Sequence, residues 1–329
     1  MKYLKICCLC LLLLGSTLSF AADSRPYRVA MLLYRGETEA EKGFMASLRQ
    51  RLPVEFIVRD VAEDVHKIPA LLAEMKRLKP DLIYTFGTTM TLAVAGREGD
   101  TSGQFIRNIP IVFNIVADPV GAGLTSTLKS SRRNLTGVSH LVPMKDQLNA
   151  AKKLVKMKRF GVIYNAKENN SQLAVKELQA NATAFGYHLS TFAVEPDASG
   201  KISGKAIDRT VHDALAARLD AVYLPSDSSI IQQAGAITLP FAQAGVPVIS
   251  ATEAPIRQHG ALLGLVGNYF NAGSFAAYKA EQILLKRASP DQIPIEVLQR
   301  FSLLINMQSA RQLKRYPPLS QLGVAELLY

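Results

Sequence analysis

The pattern that most constrains this chain is a regular alternation of short apolar runs with amphipathic segments of helical period. Runs rich in Val and Ile occupy Arg28–Leu33, Val54–Arg59, Asp81–Phe86 and Ile111–Ile115. A second series follows at Phe160–Tyr164, His188–Val194, Ala221–Leu224, Val246–Ile249 and Leu262–Val266, with a last run at Phe301–Ile305. Helical patterns lie between them, among them Glu37–Gln50, Ile68–Lys79, Met144–Met157, Gln172–Phe185, Ile230–Ala244 and Ala272–Lys286, with a short one at Gln308–Lys314. Strands that alternate with helices of this length build βαβ units and therefore parallel sheets. Several runs are apolar on both faces, as strands covered by helices on both sides must be. The expected class is α/β.

The alternation also repeats. RVAML at Arg28 returns as RFGVIY at Arg159, DLIYTFGTT at Asp81 as DAVYLPSDSS at Asp220, and IPIVF at Ile109 as VPVIS at Val246. The offsets are 131, 139 and 137 residues, in the same order along the chain. Near-constant spacing of ordered landmarks predicts two similar α/β lobes. With 329 residues the chain is long enough for two such cores. Asn134-Leu-Thr-Gly137-Val is turn-rich and extended, suited to a crossing between lobes, and GLVGNYF (Gly264–Phe270) is a second candidate crossing. The expected organisation is a first lobe of residues 26–136 plus 268–290. The second lobe is 137–267 plus 298–318, with Pro317-Pro318 ending the fold.

The first residues have another character. Lys2 and Lys5 precede an apolar run from Ile6 to Leu14, and Ser19-Phe20-Ala21 supplies a small-x-Ala site. That is the layout of a secretory signal peptide, residues 1–21, cleaved after Ala21. The run is too short for a membrane-spanning stop-transfer helix. Cys7, Cys8 and Cys10 are the chain's three cysteines, so export into an oxidising compartment leaves a thiol-free mature protein. Cysteine nucleophiles and metal–thiolate sites are thereby excluded. Losing Lys2 and Lys5 lowers the formal charge from +11 to +9. The densest basic cluster is Lys152, Lys153, Lys156, Lys158 and Arg159, which reads as a solvated helix face; export argues against a nucleic-acid partner.

In doubly wound sheets, ligands sit beyond the carboxyl ends of the strands. The residues there are Tyr34 and Arg35, Gly87–Thr89 and Asn114–Asp118 in the first half. In the second half they are Asn165–Ser171, Ser226–Ser228 and Ser250–Glu253. Nearly all can form hydrogen bonds, and two such edges face to face make a cleft for a small ligand. Thr88 or Thr89 can cap the helix that follows, or leave its N–H groups free for an anion. Asp227 is either the N-cap of the helix near Ile230 or a partner for a ligand amine or hydroxyl.

Enzyme signatures are missing. Gly121-Ala-Gly123-Leu-Thr-Ser126 is one residue short of a dinucleotide fingerprint, and Gly200–Ala206 has the wrong spacing for a phosphate loop. No G-x-S-x-G elbow exists. His66, His140, His188, His212 and His259 are scattered, without an H-E-x-x-H motif or an i, i+4 pair for a metal. No cofactor or metal is expected, and the chain does not read as an enzyme.

The motifs PIVFNIVADPVGAGL (Pro110–Leu124), NLTGVSHLVPMKDQL (Asn134–Leu148), GVIYNAKENNS (Gly161–Ser171), DAVYLPSDSS (Asp220–Ser229), GVPVIS (Gly245–Ser250) and FSLLINMQSA (Phe301–Ala310) occur in one order. Together they resemble the ABC-transporter substrate-binding proteins of the tryptophan/tyrosine-type uptake family, over essentially the whole mature chain. The resemblance implies a type I periplasmic binding protein with two Rossmann-like lobes joined by three hinge crossings. A small ligand, typically an amino acid (often aromatic) or a related compound, is caught by hinge closure and handed to a membrane permease with ATPase subunits. A sensory receptor of the same fold, serving a membrane sensor protein, is the alternative. Carried over position by position, the ligand contacts fall at Thr88, Thr89, Asn170, Ser171, Asp227, Ser228, Glu253 and Asn268. This chain departs from the family at Asn268-Tyr269-Phe270, where Asp-Tyr-Tyr is usual. It departs again at Ala251-Thr252-Glu253-Ala254-Pro255, where a Gly/Ala-Glu-Glu segment is usual.

Overall fold

The computed structural model describes residues 25–329, so the expected signal peptide lies outside the described residues. The chain builds two sheets. The strands β1 (Tyr27–Leu33), β2 (Val54–Asp60), β3 (Leu82–Phe86), β4 (Ile111–Val116) and β5 (Leu135–Ser139) form the first. The second contains β6 (Arg159–Asn165), β7 (His188–Val194), β8 (Ala221–Leu224), β9 (Val248–Ser250) and β10 (Leu263–Gly267). Three later strands complete them: β11 (Glu296–Val297) joins the first sheet, and β12 (Phe301–Asn306) and β13 (Ala325–Leu328) join the second. The first sheet runs β11-β5-β4-β3-β1-β2 and the second β13-β12-β10-β9-β8-β6-β7. All pairings are parallel except β10 with β12. The internal repeat thus becomes geometry, because β2-β1-β3-β4-β5 and β7-β6-β8-β9-β10 share one strand order.

The helices are α1 (Glu39–Arg49), α2 (Ile68–Leu78), α3 (Gly87–Ala95), α4 (Met144–Ala151), α5 (Asn169–Phe185) and α6 (Gly204–Ala216). They continue with α7 (Ser228–Gln232), α8 (Ala234–Gln243), α9 (Glu253–Gln258), α10 (Tyr269–Leu284), α11 (Met307–Gln312) and α12 (Leu319–Leu322). The segment expected as one helix over Ile230–Ala244 is two, since Gln233 has left helical geometry between α7 and α8. The basic residues after α4 are exposed in the turn that follows it, rather than continuing the helix to Met157.

Each sheet carries core on both faces. Val29, Met31, Leu33, Leu82 and Tyr84 pack against α1 and α10, and Ala30, Leu32, Ile83 and Ile111 pack on the opposite side. The second sheet divides in the same way, with Phe160, Val162 and Tyr223 on one side and Ile163, Val222 and Leu224 on the other. The contact of α10 with α1 is close because both helices present glycine there. A Cβ on Gly273 would lie 1.9 Å from the Ala40 carbonyl oxygen, and one on Gly43 2.2 Å from that of Phe270. The helix α1 starts with a capping box, in which Thr38 and Glu41 satisfy each other's end of the first turn. Glu41 is also held from below by the Tyr84 hydroxyl, which donates at 2.6 Å.

The chain passes between the sheets three times: after β5, between β10 and α10, and between β11 and β12. The segment Leu135–Ser139, expected as a bare crossing, is a strand paired with β4 and β11, so the first sheet holds the chain to Ser139 instead of residue 136. It is buried along its whole length yet carries Thr136, Gly137 and Ser139 in place of a Val/Ile run, and the missing Cβ of Gly137 makes room for Phe113. Pro317-Pro318 interrupts the fold but does not end it. After it, α12 leads into β13, which pairs in parallel with β12.

Candidate functional site

The order β2-β1-β3 places a topological switch between β1 and β3, and β7-β6-β8 does the same between β6 and β8. The loops that leave these four strands meet at the seam between the lobes. They supply Arg35 after β1, Gly87 and Thr88 after β3, Glu168 and Asn170 after β6, and Ser226 and Ser228 after β8. With Phe86, Ile115, Ile231 and Tyr269 they line a narrow void of about 10 Å³. Beside it, sharing Arg35, Ile231 and Tyr269, lies a chamber of about 460 Å³. Its walls come from the start of α1 (Glu37, Thr38, Lys42), from α9 (Glu253, Arg257) and from the start of α10 (Asn268, Phe270).

The lobes are shut against each other in this structure. The Gln232 amide of α7 donates to the Arg35 carbonyl at 3.2 Å, and Val65 N–H donates to the Ser199 carbonyl at 3.0 Å. The backbone is strained at the seam: Ile115, a β-branched residue lining the void, has φ 57° where the β4 register slips.

The first lobe offers donors to the void. Gly87, at φ 76°, turns the chain straight from β3 into α3, so the helix begins one residue before the threonines. The cap expected of Thr88 or Thr89 is therefore not made, and α3 has no side-chain cap. Thr88 Oγ1 instead accepts from Ala117 N–H at 3.4 Å, and Thr91 Oγ1 donates to the Gly87 carbonyl at 2.7 Å. Uncapped first-turn N–H groups carry the positive end of the helix dipole. Arg35 adds a cation 5.3 Å from the centre of the Phe86 ring. It forms no ion pair among the described residues, and its buried Nε has no hydrogen-bond partner.

The second lobe offers acceptors. Glu168 is buried, with Ser228 N–H donating to it at 3.2 Å. Burial, reinforced by the neighbouring Asp227 carboxylate, pushes its carboxyl well above its ordinary range. Asn170 donates through Nδ2 to the Ser226 carbonyl, which leaves its buried Oδ1 without a partner.

The eight residues expected at the site fall into four groups. Thr88, Asn170 and Ser228 line the void, and Glu253 and Asn268 line the chamber. Thr89 borders a separate groove at the mouth with Tyr34 and Asn165. Asp227 and Ser171 are fully buried behind the void. Asp227 caps α7 by accepting from Ile230 N–H at 3.0 Å, and its other oxygen accepts from Asn165 N–H at 2.8 Å and from the Ser171 hydroxyl. Glu253 is similarly engaged, accepting from Tyr269 N–H at 2.8 Å and Arg257 Nε at 2.9 Å. Asn268 Oδ1 caps α10 at Asn271 N–H, 2.9 Å away. Arg35 and Glu168 were not among the eight, although each lies in a segment immediately following a strand.

A family model described as ABC transporter substrate binding protein matches residues 47–316. The chain belongs to that family. A tyrosine-binding protein of Clostridioides difficile (strain R20291) is 26% identical over 283 residues, 84% of this chain and 76% of the relative. A solved ABC domain from Streptococcus pneumonia in complex with L-Trp superposes with a TM-score of 0.81 at 23% identity, covering 92% of this chain and all of the other. The ligand-free, open structure of a Clostridium difficile substrate-binding protein with adhesive properties gives a TM-score of 0.66 at 20% identity over 92% of this chain. The fold of this family member is thus the type I periplasmic binding fold, α/β with two largely parallel sheets. Its family is one of binding proteins, not enzymes.

Proposed function

We propose that this chain is the extracytoplasmic solute-binding component of an ABC importer, and that it captures a small zwitterion of the amino-acid class between its lobes. The observation that carries the reading is the division of polarity across the seam. The first lobe presents a cation that forms no ion pair among the described residues and an uncapped helix start. The second presents a buried carboxyl and an unpartnered amide oxygen. A carboxylate suits the first set and an ammonium the second. A ligand that joins the two favours the closed form by its differential affinity for it.

Thr88, Asn170 and Ser228 contact the head group together with Arg35 and Glu168. The ligand side chain extends past Tyr269 into the chamber toward Glu253 and Asn268. Asp227 and Ser171 act indirectly, by fixing the loop that carries Ser226 and Ser228. Thr89 closes the mouth. An aromatic side chain fits the relatives' ligands, tyrosine and L-Trp. Export by residues 1–21 places the chain in the periplasm, where a permease with its ATPase subunits receives the closed form. Isothermal titration of the mature chain against amino acids, their decarboxylated amines and their deaminated acids tests this. Only compounds with both charged ends should bind tightly; equal affinity for an amine lacking the carboxylate would refute the zwitterion reading.

A further inference from the structure

His140 stands where the moving parts of the cleft meet. It follows β5, in the first passage between the lobes, and is 1% exposed. Its Nε2 lies 3.0 Å from the Ser226 hydroxyl in the β8–α7 loop. Its ring packs edge-on against Tyr269, at the second passage, with centroids 5.4 Å apart. The two passages touch here, since a Cβ on Gly267 would lie 2.6 Å from the His140 carbonyl oxygen. The imidazole Nδ1 is buried and has no hydrogen-bond partner among the described residues. Ser226 in turn holds Asn170 through its carbonyl, so His140 reaches the void through Ser226 and Asn170.

We propose that His140 is a positioning residue that makes closure of the cleft depend on pH: neutral, it latches the closed form, and protonated, it favours the open one. The inference rests on the solute-capture reading only for its consequence, that ligand is held near neutral pH and released in acid. Among the described residues the buried site offers no acceptor for a second imidazole proton, because Nδ1 has no partner and Ser226 already takes up Nε2. The titratable groups around it offer no compensation. Tyr269 from α10 is neutral, burial having pushed it up to about 12. Asp227 beside Ser226 spends both oxygens on other donors. Arg35, further along the seam, is itself a cation. Burial alone lowers the His140 imidazole from its ordinary 6.5 to about 3 in the closed form.

A group whose closed-state value is depressed takes up a proton on opening, so falling pH favours opening once it passes the solvated value near 6.5. Between pH 7.5 and 5.0, full solvation on opening shifts the closed-to-open ratio by up to about 30-fold toward open. Glu168 works the other way, since its raised value favours closure in acid. A difference between wild type and a His140 variant isolates the imidazole.

The mature chain has no cysteine, so spin labels can be placed at Ala73→Cys on α2 and Lys205→Cys on α6, both exposed and on opposite lobes. Electron–electron double resonance then reads the closed and open populations of the ligand-free protein at pH 7.5 and 5.0. The comparison is with His140→Gln, whose amide can still reach Ser226 but does not titrate. Wild type should open in acid by up to the stated factor relative to the variant. Parallel pH responses in the two proteins would overturn the proposal. Because no ligand is used, failure of every amino acid in the titration panel would sink the capture reading and leave this result standing.

Discussion

Replacing Arg35 with methionine should move stability and ligand affinity in opposite directions. The guanidinium has no ion pair among the described residues, and its Nε is buried without a partner. An unsatisfied buried donor costs about 1–3 kcal/mol, partly recovered here because the rest of the half-buried side chain reaches water. Methionine keeps the apolar stem beside Phe86 and removes the donor. The cross-lobe bond from Gln232 survives, because it ends on the Arg35 backbone carbonyl. The ligand-free variant should therefore gain about 1 kcal/mol, or roughly 2 °C in Tm for a chain of this size. A bound carboxylate would lose a charge-assisted hydrogen bond worth about 1.5–3 kcal/mol, which is about 10- to 150-fold in Kd. Differential scanning fluorimetry and isothermal titration on one preparation read both quantities. A variant that is destabilised and binds normally would show that Arg35 is a packing residue and would sink the assignment of the anion end.

Other perturbations have equally definite expectations. Gly273→Val must push α10 off α1 at the 1.9 Å approach, costing about 3 kcal/mol, and an unchanged thermal midpoint would contradict the packing described. Asp227→Ala strands the donors Asn165 N–H, Ile230 N–H and the Ser171 hydroxyl together, a loss of about 3–5 kcal/mol visible in urea melts. Fast hydrogen exchange confined to Asn165 and Ile230 would accompany it. Burial and then the neighbouring Asp227 carboxylate raise the Glu168 carboxyl in the closed chain, so it holds a proton over a pH range in which a solvated carboxyl has lost it. A ligand ammonium lowers the carboxyl again, and titration in buffers of different ionisation enthalpy should show protons released on binding. Glu168→Gln should abolish that release; its persistence would place the titrating group elsewhere.

Much of the fold was legible because it rests on periodicity. Strands such as His188–Val194 and Ala221–Leu224 are bounded as the apolar runs predict, and the repeat of landmarks reappears as a shared strand order. The elements that escaped are those whose stability comes from neighbours. β5 contains a glycine and reads as a loop until β4 and β11 flank it. β13 is a four-residue strand beyond a double proline, held by its pairing to β12. The break between α7 and α8 depends on Asp227 ending one loop and Gln233 leaving helical geometry, neither of which disturbs the apolar pattern.

The site was legible only as a set of loops. Knowing that ligands gather beyond strand ends gives the segments that line the void, but within a segment it cannot say which side chain faces the seam and which faces back. Asp227 and Glu168 show the difference. Both are acidic residues close to strand ends, yet Asp227 is consumed by three donors of its own lobe, whereas Glu168 borders the void. The distinction arises from where helices begin: α7 starts one residue after Asp227, turning that carboxylate into a cap, and α5 starts one residue after Glu168 without using it as one. The same offset governs the first lobe, where Gly87 starts α3 early and leaves its N–H groups uncapped. In a duplicated fold of this kind, a single residue in the helix start decides whether a polar strand end is spent on structure or left for a ligand. The two lobes make that choice differently, and the proposed zwitterion is the ligand whose two charged ends would join the difference.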